Sequence, residues 1–524
     1  MIASAASVVE AFLRSAARTP EKTAITFEGK TYTYAWLRQR AEAFAGALGA
    51  WGIVPGDRVA LFLENCPDFL AAYLGVWLAG GVGVLVNTQY RQVELRHILS
   101  DAGVRLCVTD RERLPELDRV RADLPDLELV VDVDTKLDIF LATGWDYAPN
   151  LPRPNDLAVI AYTSGTTGRS KGAMLLHRNL IANITSLREA WHWTADDHLL
   201  LALPLFHAHG LMVGAHGTLT AGATMTLHRR FDAATIYRQL CTEPLTMFFG
   251  VPTMYIRLLA EAAAHPEMRP RALRLFVSGS APLSPQTFAE WQALTGQVIL
   301  ERYGMTETIM NTTNPYDSER RPGTVGQPFP RQEARVVDVR TRAPLPDGET
   351  GEIEVRGPHV FAGYWQRPDA TAEAFDADGW FRTGDLGHRS ADAYYTISGR
   401  AKELIISGGY NIYPREVEEV LAQCPGVAEV AVIGLPDAEF GEQVTAVVVR
   451  DDPALTPETL IAFCRDQLAS YKKPRTVHFI DALPRNALGK VQKHLLSTQA
   501  VGGYQAPSSS ERYNGGTDTE PDRS

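Results

Sequence analysis

Apolar positions along this chain follow two different rhythms, and the change between them marks its organisation. Through the first half, short apolar runs alternate with segments of helical spacing. "DRVALFL" (57–63), "GVGVLVN" (81–87) and "VRLCVTD" (104–110) are such runs, with "VELRHILSDAG" (93–103) between strands. The pattern returns in "DHLLLALPL" (197–205), "TMFFGVP" (246–252), "ALRLFVSGS" (272–280) and "QVILERYG" (297–304). Strands that are apolar on both faces belong inside a sheet covered on both sides, so this alternation predicts βαβ units and parallel sheets. From about residue 320 the runs become hairpin-like: "EARVVDV", "GEIEVRG", "GWFRTGDLG" and "AYYTISGR". After Arg400 a smaller α/β unit begins, including "EVEEVLAQCPGVAEVAVIGLPD" and "EQVTAVVVRDD". The final stretch, residues 501–524, is polar, rich in Gly and Ser and nearly without aliphatics, which predicts disorder.

One apolar run is long enough to imitate a membrane span, Phe69 to Val86, which carries no charge. Gly80-Gly81 cuts it in two. Pro67 opens a helix before the cut and "VGVLV" reads as a β-branched strand after it, so a buried helix followed by a buried strand is expected, without integral membrane association. At the N-terminus, Val8, Phe12 and Leu13 are spaced as one face of a docked helix. The segment lacks the uninterrupted apolar core of a secretory signal.

Bulk properties narrow the class. A chain of 524 residues is too long for one core and implies at least two domains. A net charge of −11 argues against a nucleic-acid binder, which needs a basic face. The five cysteines are scattered without a CxxC pair, fitting neither a zinc site nor a disulfide framework. A reducing, cytoplasmic setting is expected.

The chemistry concentrates in "YTSGTTGRSKGAM" (162–174), where small and hydroxylated residues and a lysine follow the apolar run Leu157 to Ala161. Such a composition cradles phosphate: backbone N–H groups and hydroxyls close on the anion while lysine neutralises it. A Walker A loop is excluded, because that motif needs four residues before Gly-Lys-Ser/Thr, and here Lys171 is followed by Gly172. "PLFHAHGL" (204–211) sets His207 and His209 two apart, which with no third ligand nearby is a poor metal pair.

"YTSGTTGRSKG" resembles the phosphate-loop signature of the adenylate-forming superfamily: acyl-CoA synthetases, amino-acid adenylation domains and luciferases. Four more stretches resemble that family's motifs in order: "RYGMTET" (302–308), "FRTGDLG" (381–387), "SGRAKELIISGGYNIYP" (398–414) and "LPRNALGKVQK" (483–493). Ser170 stands where the family usually has proline. The resemblance implies an α/β fold. A large N-terminal domain (1–399) would combine parallel-rich sheets, helices and a β-barrel-like part. A small mobile C-terminal α+β domain (400–500) would carry the catalytic lysine. It implies an ATP-dependent acid–thiol ligase using Mg²⁺ and coenzyme A, with a small carboxylic acid as substrate. No feature of the sequence sets an oligomeric state.

Residue by residue, the resemblance implies that Thr163, Ser164, Gly165, Thr166, Thr167, Gly168 and Lys171 grip the β- and γ-phosphates. Ser280, Ala281, Glu301, Arg302 and Tyr303 would border the nucleotide. Thr306 would contact the α-phosphate, Glu307 would hold Mg²⁺, Asp385 would accept from the ribose hydroxyls and Arg400 would support them. Lys490 would bridge the carboxylate and the α-phosphate. Lys402 would be the hinge, and Gly408 and Gly409 would let the pantetheine arm of CoA pass close to the backbone. His207, with Ser280, Arg302 and Met305, would line the acyl pocket.

For the acid itself, Arg257 and Arg302 stand at the edges of two pocket motifs, and a guanidinium fork can pair with a second carboxylate. "ERYGMTET", "FGVPTMY" and "VSGSA" resemble malonyl- and methylmalonyl-CoA synthetases. Either arginine could meet the distal carboxylate. The alternatives are a ligase for another short or aromatic acid with structural arginines, a stand-alone adenylation domain that loads a carrier protein, and a non-catalytic nucleotide-binding protein.

Overall fold

Six parallel strands form the middle of the larger of two sheets in the first part of the chain. In spatial order they are Leu300–Tyr303, Leu275–Ser278, Met247–Gly250, His198–Leu201, Thr224–Leu227 and Thr23–Phe27. Antiparallel strands close both edges: Lys30–Thr33 on one side, Thr312–Thr313 and Gln327–Pro328 on the other. A second sheet has the parallel order Leu129–Asp132, Val104–Thr109, Arg58–Phe62, Val82–Leu85 and Leu157–Thr163, with Lys171–Leu176 antiparallel at its edge. Every residue of Met247–Gly250, Leu275–Ser278 and Val82–Leu85 is buried, as the continuous apolar runs predict.

These are features of a computed structural model, which describes residues 5–144, 151–163, 170–407, 410–437, 440–465, 467–486 and 489–496. The loop residues Ser164, Gly165, Thr166, Thr167 and Gly168, the glycines Gly408 and Gly409, and the tail 501–524 lie outside the described residues. The chain separates into two compact units, Met1–Ala401 with Ala487–Gly489, and Lys402–Asn486 with Lys490–Ser524.

The apolar run Phe69 to Val86 is the buried helix Pro67–Leu78 followed by the buried strand Val82–Leu85. Pro67 sits in the first turn, where its missing N–H costs nothing. The helix is buried along its whole length because it packs between the helix Tyr34–Ala50 and the sheet; the Trp77 indole donates to the Ala158 carbonyl at 2.9 Å. Among the described residues no helix is long and apolar enough to cross a membrane. The N-terminal helix forms as Val8–Arg18, capped by the Ser7 hydroxyl, and buries Val8, Val9 and Phe12.

The hairpin-like segment is an open sheet of four antiparallel strands, Glu333–Val337, Gly351–Arg356, Phe381–Arg389 and Tyr395–Arg400. This corrects the expected barrel-like part. The outer strands Glu333–Val337 and Tyr395–Arg400 do not pair with each other, so the sheet does not close. The second unit has a five-stranded sheet built around the long hairpin Val427–Asp437 and Gly441–Arg450, with helices Pro414–Leu421 and Pro457–Arg465. Ile412, Val417, Leu421, Val432, Val444 and Leu460 form its own core. The five cysteines are free thiols.

Trp77 is the largest side chain of the spurious membrane run and is fully buried against Tyr73 at a ring separation of 4.1 Å. Trp77→Ala is expected to destabilise the first unit by about 3–5 kcal/mol through the cavity it leaves. A lowered midpoint in denaturant unfolding followed by intrinsic fluorescence checks this; an unchanged midpoint would place Trp77 outside the core.

Candidate active site

Neighbouring parallel strands release their chains at the same sheet edge, and four of them do so here. Leu300–Tyr303 runs into Gly304–Glu307, Leu275–Ser278 into Gly279–Ala281, Met247–Gly250 into the helix Pro252–Ala264, and His198–Leu201 into the segment bearing His207 and His209. Ligand sites of open α/β sheets form at the carboxyl ends of their strands. Thus one edge gathers Ser280, Ala281, Arg302, Tyr303, Met305, Thr306, Glu307, His207 and His209.

Strand period explains how two neighbouring residues serve opposite sides. Side chains alternate across a strand, so Arg302 and Tyr303 face away from each other. The Tyr303 hydroxyl donates to Asp385 Oδ2 at 2.5 Å, and Arg400 Nε lies 2.7 Å from Asp385 Oδ1. Burial, and then the Asp385 charge, push the Tyr303 hydroxyl well above its ordinary range, so it stays a donor. Asp385 is thereby held as an oriented carboxylate with further lone pairs open to hydroxyl donors. Glu301, on the Tyr303 side, accepts from the Gly323 N–H at 3.1 Å.

On the other side, Arg302 is 3% exposed, and its Nε and Nη2 have no hydrogen-bond partner among the described residues. Burial lowers its guanidinium to about 9. Its planar head lies over Gly279, where a Cβ would stand 2.5 Å from Cζ; only glycine leaves that space. Burial, followed by the Arg302 charge, holds His207 at about 4 and His209 well below the ordinary range, so both imidazoles are neutral at physiological pH. Arg257, by contrast, sits on the exposed face of the helix Pro252–Ala264. The structure therefore separates the two arginines that the sequence leaves equivalent.

The loop after Tyr303 turns back on itself: Ile309 N–H donates to the Met305 carbonyl at 2.6 Å, and Asn311 N–H to the Tyr303 carbonyl at 2.8 Å. This presents Thr306 and buries Glu307, whose carboxyl is raised by desolvation. Tyr364 donates to Glu307 Oε1 at 3.1 Å, and Lys171 Nζ lies 5.2 Å from the centre of the Tyr364 ring. One tyrosine thus joins Lys171 to the buried carboxylate. Tyr364 escapes a motif reading because its only signal is an aromatic in "FAGYWQRP". A buried carboxyl whose ionised form is disfavoured by desolvation fits a divalent cation that would offset its charge. Among the described residues no group of three or more His, Cys, Asp and Glu assembles. Mg²⁺ at Glu307 would therefore complete its shell with phosphate oxygens and water, as it commonly does.

The strands flanking residues 164–169 pair antiparallel, with Thr163 opposite Lys171. A strand, not a helix, thus begins at Lys171, which differs from a Walker motif and agrees with the spacing argument. Lys402 and Lys490 belong to the second unit. Lys490 N–H donates to Asn486 Oδ1 at 3.0 Å and Asn486 N–H to the Lys490 carbonyl at 2.9 Å, which fixes the backbone at that lysine.

A sheet edge that gathers a buried acidic residue and a tyrosine–aspartate–arginine cluster beside the paired strands ending at Thr163 and starting at Lys171 agrees with the motifs of an adenylate-forming enzyme. Family models agree: "AMP-binding enzyme" matches residues 12–365 and "AMP-binding enzyme C-terminal domain" matches 416–490. The chain belongs to this family, and it is an AMP-forming acyl-CoA synthetase that uses ATP, Mg²⁺ and CoA. It is 33% identical to a malonate–CoA ligase of Arabidopsis thaliana, over 93% of this chain and 87% of that protein. With a sulfoacetate–CoA ligase of Cupriavidus necator it shares 38% identity, over 93% of this chain and 96% of the relative. The structure of ATP-bound MatB from Rhodopseudomonas palustris superposes with a TM-score of 0.89 at 42% identity, covering 95% of this chain and 100% of the other.

The Tyr364 contact yields a pH prediction. Hydrogen bonding favours the ionised form of Glu307, so Tyr364→Phe removes a contact that holds its pKa down. The acid limb of the pH–rate profile for adenylation should move to higher pH, and the Mg²⁺ requirement should rise. An acid limb unmoved in Tyr364→Phe would show that Glu307 ionisation does not set it.

Proposed function

We propose that this protein is a malonate– or methylmalonate–CoA ligase. The observation that carries the acid is Arg302: a buried guanidinium with open donors is costly unless an anion meets it. A fatty acid would leave it unpaired, whereas the distal carboxylate of a short diacid would satisfy its fork. Relatives named for malonate and for sulfoacetate, each with a second anionic group, support that reading.

In this reading the substrate carboxylate attacks the α-phosphorus of ATP, forming an acyl-adenylate and releasing pyrophosphate. The sulfur of CoA then attacks the acyl carbon, and AMP leaves with the bonding pair. The first step brings anions together, so cations and donors must absorb charge. Thr163 to Gly168 with Lys171 grip the β- and γ-phosphates, and Thr306 donates to the α-phosphate. Glu307 would hold Mg²⁺, whose charge would offset that of the phosphates. Asp385, oriented by Tyr303 and Arg400, accepts from the ribose hydroxyls. Neutral His207 lines the acyl side with Met305 and Ser280. Lys490 bridges carboxylate and α-phosphate during adenylation. A small C-terminal domain beginning near residue 400 turns about Lys402, exchanging Lys490 for the Gly408–Gly409 face on which pantetheine runs.

Pyrophosphate release over a panel of acids, with and without CoA, tests the assignment. Malonate or methylmalonate should be preferred over butyrate and ferulate; preference for a monoacid would overturn it, and preference for sulfoacetate would keep the anion site but change the acid. Arg302→Leu should cost about 2–5 kcal/mol of malonate recognition, roughly 30-fold or more in kcat/KM, with a smaller loss on butyrate. Arg257→Leu should spare the malonate-to-butyrate ratio. Lys490→Ala should abolish adenylate formation yet retain thioester formation from supplied acyl-adenylate, and loss of both would remove Lys490 from its separate role.

A further inference from the structure

The backbone on both sides of Lys171 is tied to a helix that lies outside the site described above. The helix Gln92–Asp101 buries Leu95, Ile98 and Leu99, and carries His97 and Asp101 four residues apart, hence on one face. His97 Nε2 lies 2.8 Å from the Ser170 carbonyl oxygen. A carbonyl can only accept, so Nε2 carries the proton and donates. Asp101 Oδ2 accepts from the Tyr162 hydroxyl at 2.7 Å, and its Oδ1 accepts from Arg367 Nη2 at 2.6 Å. The Asp101 carbonyl accepts from the Trp365 indole at 3.0 Å. The His97 and Tyr162 rings meet edge to face, with centroids 6.0 Å apart.

These contacts converge on the two neighbours of Lys171. Ser170, before it, is held by its carbonyl. Gly172, after it, lies between the two aromatic residues that Asp101 binds. A Cβ there would stand 3.2 Å from Tyr162 Cζ, 3.4 Å from Trp365 Cβ and 2.6 Å from Ile160 Cγ2, so a side chain would have to displace them. The Trp365 N–H also donates to the Gly172 carbonyl at 2.7 Å. Lys171 is thus a long, flexible cation on a backbone pinned on either side from one helix. Its ammonium lies against the ring of Tyr364, the residue before Trp365, and Tyr364 reaches Glu307. Ordering a side chain at the moment of binding subtracts from affinity, so a cation set in place beforehand binds an anion better.

We propose that His97 and Asp101 are positioning residues for Lys171, holding its ammonium where the pyrophosphate side of ATP is to be neutralised. The inference rests on the reading that Lys171 meets the β- and γ-phosphates, and adds to it a helix that acts only through the strand. Its signal in the sequence is the four-residue spacing in "HILSD" (97–101). The two half-reactions separate this role from general support of the fold. Pyrophosphate leaves during adenylation, so the thioester step involves neither the β- nor the γ-phosphate.

The test measures the KM for ATP in pyrophosphate release with the preferred acid of the panel. In parallel it measures thioester formation from CoA and the supplied adenylate of that acid, with thermal unfolding as the fold control. His97→Phe keeps a ring without the donor, and His97→Gln keeps a side-chain N–H. Loss of one neutral hydrogen bond predicts that His97→Phe raises the KM for ATP about 3- to 10-fold and leaves the thioester step unchanged. His97→Gln should recover most of that difference. In a Lys171→Met background His97→Phe should add no further rise, because residues that act through one group are not additive. Parallel losses in both steps, an additive double variant, or a Gln variant no better than Phe would overturn the proposal. If the Phe variant does not fold, Asp101→Asn decides by the same two readouts: a raised KM for ATP with the thioester step intact supports the role, and any other result overturns it. Should Lys171→Met leave the KM for ATP unchanged, the phosphate reading of Lys171 fails. Should it raise that KM while His97→Phe does not, only the positioning assignment fails.

Discussion

A guanidinium taken out of water without a counter-charge is the constraint around which one face of this sheet edge is arranged. Desolvating a cation is expensive, and the interior tolerates it only where an anion or oriented acceptors arrive. Arg302 is held in that condition by a strand, with Gly279 giving its plane a flat floor and two neutral imidazoles nearby rather than carboxylates. An acidic neighbour would satisfy the arginine and shut the site. The histidines, kept uncharged by burial and by Arg302 itself, leave it open to an incoming anion.

The nucleotide side obeys the opposite logic, because its charges are already matched. Asp385 is bound by Tyr303 and Arg400, and Glu307 accepts from Tyr364. Pre-formed contacts of this kind fix orientation before ligand arrives, so less ordering is left to binding. The sheet makes the two logics compatible: four parallel strands ending at one edge deliver loops that need no long connections across the molecule.

Much of this was legible in the sequence. Continuous apolar runs gave the parallel sheets, Gly80-Gly81 separated a buried helix from a buried strand, and the loop spacing excluded a Walker site. The motif order placed Asp385, Glu307 and Arg302 in one enzyme. What could not be read were contacts made across sequence distance. Tyr364 meets Glu307 and Lys171 only because its segment pairs alongside the strand Lys171–Leu176. Arg257 and Arg302 look alike in a motif, yet helix periodicity turns one to solvent while the strand buries the other. The barrel-like expectation failed because hairpins are visible in a sequence but the pairing of their outer edges is not.

The adjacency of Arg302 and Tyr303 has an evolutionary consequence. In the proposed reading, recognition of the acid and of the nucleoside hang on successive residues of one short strand, facing opposite ways. A one-residue insertion or deletion in the strand before them would swap the two faces together, turning the phenol to the Gly279 side and the cation towards Asp385. Diversification of the acid in this architecture is therefore confined to point replacement on one face, with strand length frozen. New specificities would be sought at single codons rather than in loop-length variation at this edge.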